Sequence, residues 1–157
     1  MSEEKQAAEQ VFEISKLYMK DVSFESPHTP SIFTDGEWSP EMSVQINGAN
    51  TALADDFYES VLTVTVTVKQ NEKTAFLIEV QQAGVFVIKG YPEDSVQGIL
   101  ATHCLEILFP YAREEVSSLV LRGGFPQLIL SPVNFNALYQ QQLEAQQATS
   151  EQKEAAH

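Results

Sequence analysis

The strongest periodic signal in the chain lies between Phe57 and Ile88. Leu62, Val64, Val66 and Val68 take even positions, with Thr63, Thr65, Thr67 and Lys69 between them. A strand points successive side chains to opposite faces, and β-branched Val and Thr suit a pleated surface. Gln70-Asn71-Glu72-Lys73 breaks the alternation as a turn does, and the even series resumes at Phe76, Ile78, Val80, Phe86 and Ile88. This predicts an antiparallel hairpin with an apolar even face and a polar odd face. Gln82 and Gly84 interrupt the series, and Gly84 is expected to mark a bulge.

Upstream, Phe12, Ile14, Tyr18, Val22 and Phe24 are also even, with Glu13, Ser15, Asp21, Ser23 and Glu25 opposite them. A strand is predicted there, although Lys16, Leu17, Met19 and Lys20 violate the alternation. Ser26–Pro40 holds three prolines and a glycine and reads as a long loop carrying Ile32, Phe33 and Trp38. Such loops are uncommon and often functional. Met42, Val44 and Ile46 predict a further short strand, closed by a turn at Gly48-Ala49-Asn50.

After Gly90 the period becomes helical. Asp94 and Gln97 have the spacing of a capping box that opens a helix from Ser95 to about Cys104. Pro110 suits the first position of a new helix, whose stripe is Ala112, Val116, Leu119 and Val120 and whose stop is Gly123. GFPQLILSP (124–132) reads as a packed loop. Asn134 is the expected cap of a last helix, with Val133 and Leu138 spaced as a staple. Residues 1–10 and 145–157 are polar enough to be expected as disordered tails. Strands first and helices afterwards predict a single α+β domain over 1–157, with helices covering one sheet face.

Composition narrows the function. With 9 Lys and Arg against 22 Asp and Glu, the net charge is −13, which repels nucleic acid and anionic membranes and suits a basic protein partner. The lone cysteine, Cys104, excludes an internal disulfide framework. The acidic start MSEEKQAAEQ is unlike a signal peptide, and no apolar run approaches membrane-spanning length. A soluble cytoplasmic protein is expected. The three histidines, His28, His103 and His157, are scattered, and no zinc, nucleotide or nucleophile motif accompanies them. An enzyme, a metal site and a cofactor are therefore not expected.

Two surface features carry more. Glu13, Asp21, Glu25, Glu41, Glu59 and Glu79 are all odd strand positions, so they should share one exposed face. Each alone is ordinary solvated surface; together they would draw a basic partner. Phe33, Trp38, Phe109, Tyr111 and Phe125 sit among loop prolines, where aromatics either pack as a satellite core or line a groove for apolar peptides.

DVSFESP, LADDFYESVLTVTVT, TAFLIEVQQAGVF, ILFPYARE and RGGFPQLILSPVNFNALY resemble the SecB family of bacterial protein-export chaperones. The likeness runs from about Phe12 to Leu143, in order and in spacing. It implies a homotetramer built as a dimer of dimers, each subunit a four-stranded antiparallel sheet followed by helices on one face, acting as an ATP-independent holdase. It further implies that unfolded precursor proteins bind in hydrophobic grooves near Phe33, Trp38, Phe109, Tyr111, Phe125 and Leu128, and pass to the motor ATPase SecA. The family's SecA-docking positions fall on Asp21, Glu25, Leu77 and Glu79, and its subunit-contact positions on Ile78, Val80 and Gln82. The zinc in this picture sits in the basic C-terminal segment of SecA. The rival reading is a passive acidic scaffold whose aromatics are only core.

Overall fold

The computed structural model describes residues 9–156. Strands β1 (Val11–Glu25), β2 (Glu41–Ala54), β3 (Phe57–Gln70) and β4 (Lys73–Lys89) form one antiparallel sheet in the order β1-β4-β3-β2. Helices α1 (Glu93–Ala101), α2 (His103–Arg122) and α3 (Phe135–Ala155) follow, so the chain is α+β. The central hairpin closes at Asn71 and Glu72, both with positive φ, as the tight two-residue turns between twisted strands require.

The even face of β3 and β4 is the core. Leu62, Val64, Val66, Ile78 and Val80 are 0 % exposed. Above them lies the stripe Cys104, Leu108, Ala112, Val116 and Val120 of α2, with Val96 and Leu100 from α1. Spacings of four keep these α2 residues on one side of the helix, and that burial outweighs its proline. Pro110 does not begin a helix; it lies exposed within α2, where an interior proline costs about 3 kcal/mol. The break comes earlier, at Thr102 (φ −122°, ψ −73°). Its hydroxyl and backbone N–H both donate to the Gly98 carbonyl, at 2.7 and 3.0 Å. Asp94 is not a cap either: Pro92 precedes α1, and Glu93 and Asp94 occupy its first turn, where acidic charge suits the helix dipole.

The irregularities of β1 are resolved by its pairing with β4. Ile14 faces Phe86, Lys16 faces Val85, Met19 faces Gln82 and Asp21 faces Gln81, so the register slips at Ser15 and again at Lys20. Between the two bulges parity is inverted. Leu17 and Met19 therefore take the helix side while Lys16 and Tyr18 take the other. Gly84 itself marks crowding rather than a bulge, since a Cβ there would meet Phe86 and Leu17 at 2.9 and 3.0 Å. Gly48-Ala49-Asn50 is not a turn: β2 runs through it, and the chain reverses at Asp55 and Asp56 instead. Gly48 is small because a Cβ there would lie 2.7 Å from Leu105 Cδ1 of α2.

At the far end, Asn134 Oδ1 accepts from the Ala137 N–H at 3.0 Å and caps α3. Phe135 is buried, but beyond Glu144 every described residue of α3 is exposed. The helix reaches Ala155, where disorder from 145 was expected. Ala, Gln and Glu are strong helix formers, so propensity extends the helix without packing. The expected N-terminal tail lies mostly outside the described residues.

Candidate functional site

Two surfaces stand out, one at the end of the central hairpin and one on the sheet face away from the helices. The first is an aromatic cleft. Residues 26–40 are tied to the hairpin end, which is why this loop holds a shape. Ser26 Oγ donates to the Ala75 carbonyl at 2.7 Å, and His28 Nδ1 lies 3.0 Å from the Thr74 carbonyl. Gln70, only 1 % exposed, accepts from the Ser39 N–H at 3.0 Å and donates to the Glu37 carbonyl at 2.6 Å. Asn71 Nδ2 donates to the Asp35 carbonyl at 3.0 Å. Ile32, in the 3-10 turn Ser31–Thr34, is the buried anchor of the loop.

On this frame Phe125 is the hub. Its ring centroid lies 5.1 Å from Phe33, 5.7 Å from Trp38 and 4.8 Å from Phe76 below. Phe125 is buried, Trp38 is half-buried, and Phe33 is 49 % exposed. Ile32, Phe33, Trp38, Gln70, Phe125 and Pro126 are among the residues around a cleft of about 190 Å³. Gly124, with φ +85° and a would-be Cβ 3.3 Å from Phe33, lets the chain turn tightly beside it.

Not every aromatic expected here belongs to it. Phe109 and Tyr111 lie within α2, not in a loop. Phe109 is 5 % exposed, packed edge-on against Phe135 at 5.9 Å with the Arg113 guanidinium over its ring. Tyr111 is half exposed on the helix, and Leu128 packs partly against the core. Gln70 was missed because it reads as the start of a turn. Its signal was parity: it is a polar side chain on the buried even series.

The second surface is the odd face of the sheet. Directly paired residues share a face, so the register maps it. Glu25 lies beside Leu77 and Ser23 beside Glu79, with Thr67 and Thr65 across on β3. Asp21 follows beside Gln81. Asp21, Glu25, Leu77 and Glu79 are thus one patch, without ion pairs to basic side chains among the described residues. Glu59 is not part of it. Lys20 Nζ lies 2.8 Å from its carboxylate and the Tyr18 hydroxyl donates to it. Those two hydrogen bonds, Lys20 first, hold the Glu59 carboxyl below its usual pKa against some burial. Burial, then the hydrogen bond to Glu59 and its charge, push Tyr18 up to about 12. Cys104 faces the sheet from the first turn of α2, where burial raises its thiol to about 12, so it is not a nucleophile at neutral pH.

Residues 5–146 match the family described as Preprotein translocase subunit SecB. The chain belongs to the SecB family. It is 54% identical to the protein-export protein SecB of Alkalilimnicola ehrlichii, over 94% of this chain and 77% of that one. It is 50% identical to the SecB of Methylococcus capsulatus over 94% of each. A SecB-like chaperone of Mycobacterium tuberculosis, Rv1957, solved with a ChAD peptide from the Rv1956 HigA1 antitoxin, shares the fold. The TM-score is 0.65 at 16% identity, covering 78% of this chain and 91% of that one. As a SecB-family member the chain is a protein-export chaperone, and among its described residues no helix is long and apolar enough to cross a membrane.

The three residues expected at subunit contacts are buried by the chain's own helices. Ile78, Val80 and Gln82 are 0 %, 0 % and 5 % exposed within the protomer itself. They support the helix layer and have almost no surface left to touch another copy. The bare apolar side chains on the same side of the sheet are at its edge: Ile14, Met19 and Val22 of β1 are 47 %, 39 % and 43 % exposed.

Proposed function

We propose that this chain is a cytoplasmic, ATP-independent holdase that grips unfolded precursors in the aromatic cleft and hands them to SecA. The observation that carries this reading is Phe33. It is a large aromatic left half exposed on a loop whose backbone is stitched to the hairpin. A loop held open in this way offers apolar surface at little ordering cost. An extended client gains about 25 cal/mol per Å² of apolar area it covers, and its backbone hydrogen-bonding groups are common to every sequence. Such a grip reads hydrophobicity rather than sequence, as a holdase requires. The mycobacterial chaperone of this fold was solved with a peptide, in keeping with peptide as the class of client.

A homotetramer, assembled as a dimer of dimers, would present several weak clefts to one long chain and hold it by avidity. The exposed apolar residues of β1 support subunit contact along that edge. Asp21, Glu25, Leu77 and Glu79 then serve as the docking patch for the basic C-terminal segment of SecA. The zinc of that segment belongs to SecA; this chain needs no cofactor of its own. A passive scaffold would bind partners irrespective of their folding state.

The test is light scattering of an aggregating, tryptophan-free precursor, alongside emission from Trp38, the only tryptophan of the chain. Suppression of aggregation with a blue shift of Trp38 is expected, and Phe33→Ser should weaken both while the protein stays folded. Binding shown independently with an unchanged Trp38 spectrum would move the client site elsewhere.

A further inference from the structure

The bare face of the sheet is not uniformly polar. Its register places Asp21, Gln81 and Thr63 in one row, and the two sides of that row differ. Toward the β3–β4 turn lie Ser23, Glu79 and Thr65, then Glu25, Leu77 and Thr67. Toward the β2–β3 turn, Val61 lies beside Ala83 and Ala49, and Phe57 beside Val87, with Val85 between those rows. Phe57 is 40 % exposed and the three valines are part exposed. Of the two strand carboxylates in this half, Glu59 is held by Lys20 and Tyr18, and Glu13 lies at the β1 edge beside Val87. From Leu77 to Val87 the face runs roughly 33 Å at the rise of an extended strand. Apolar side chains left together on a face without helices mark a contact surface.

We infer that the partner which docks on the acidic patch also covers the Phe57–Val61–Val85–Val87 half, through a segment that carries basic residues at one end and apolar residues at the other. This rests on the acidic patch being a docking site, as proposed above. Charge decides the occupant. Asp21, Glu25 and Glu79 share the face with the apolar half, and the net charge is −13. A second copy laid along it would bring like charges within a Debye length, whereas a segment with a cationic end gains at the acidic patch. The acidic end steers the encounter and the apolar end slows departure.

The experiment measures full-length SecA binding to the intact protein at low and high salt, with two variants. Val61→Thr, Val85→Thr and Val87→Thr are combined in one; they keep β-branched shape while removing apolar surface. Asp21→Ala, Glu25→Ala and Glu79→Ala form the other. The threonine variant is expected to bind about tenfold more weakly, with the deficit retained at high salt, while the alanine variant's deficit fades as salt rises. Normal SecA affinity in a folded threonine variant, with the alanine variant impaired, overturns the apolar extension and leaves the acidic patch standing. No SecA binding by the wild type overturns the docking reading itself. A change in the protein's own sedimentation without a change in SecA affinity assigns the apolar half to a second copy and also overturns the proposal.

Discussion

On the even face of β3 and β4, Val64, Val66, Ile78 and Val80 are 0 % exposed beneath α2. On the odd face of the same strands, Thr65, Thr67, Leu77 and Glu79 have no helix above them. One backbone thus carries two surfaces, and substitutions on the covered one should cost far more than those on the bare one. The covered face sets stability, and the bare face is free to serve encounter. A chaperone gains from that division, because a contact surface can be tuned without disturbing the frame that displays it.

The sharpest way to break the comparison is to place a charge on each side. Val80→Arg should cost about 5 kcal/mol or more, a large share of the roughly 5–15 kcal/mol a domain has in hand, since it overpacks the core and buries an unpaired charge. Thr65→Arg, on the neighbouring strand but facing out, should shift the urea midpoint by no more than about 0.5 kcal/mol equivalent. Equal effects would mean the faces are misassigned.

Next in size is the contrast within the aromatic cleft. Phe125→Ala removes the hub and should cost about 3–5 kcal/mol in denaturant unfolding. Phe33→Ala should cost about 1 kcal/mol or less, because half of the ring already faces water. Holding of precursor should fall in both. Gln70→Ala comes third, at about 1–3 kcal/mol. It leaves the Ser39 N–H and the Glu37 carbonyl without their partner, and Trp38 emission should move to the red as the loop loosens.

The smallest effect is the one tied to pH. Lys20 and Tyr18 hold the Glu59 carboxyl below its ordinary value. The pairing therefore adds stability above the unfolded-state pKa of about 4.3 and loses it as pH falls through the lower folded value. Urea midpoints of wild type and Glu59→Gln should differ at neutral pH and converge under acid. A gap that widens under acid would reverse the sign of the shift.

Much of this division was legible before any coordinates. The even–odd split of β3 and β4 came from Val and Thr alone, and Asn134 was readable as a cap from its place before an apolar run. What periodicity could not supply was what lies outside one element. The double bulge in β1 depends on how Ser15 and Lys20 meet β4. The sizes of Gly48 and Gly84 depend on Leu105 and Phe86, so local turn and bulge rules misread both. Pro110 stays within α2 because burial of the opposite stripe overrides its local cost. The aromatic site was legible in part for the same reason. Phe33, Trp38 and Phe125 meet as the loop prolines suggested, while Phe109 turns inward to Phe135. Parity placed Asp21, Glu25 and Glu79 on the bare face, but it grouped Glu59 with them although Lys20 and Tyr18 engage it.

The central claim is that holding and docking occupy separate surfaces, and one measurement addresses it directly. Light scattering of an aggregating precursor is followed with the Asp21→Ala, Glu25→Ala, Glu79→Ala protein after its folded, wild-type mass has been verified. None of the three side chains lies in the core, and rim charges act on the rate and salt dependence of a charged partner. Suppression of aggregation within about twofold of wild type, at low and high salt alike, is the result this account requires. Loss of suppression in the folded, correctly assembled variant would contradict it, because client and acidic patch would then share one surface.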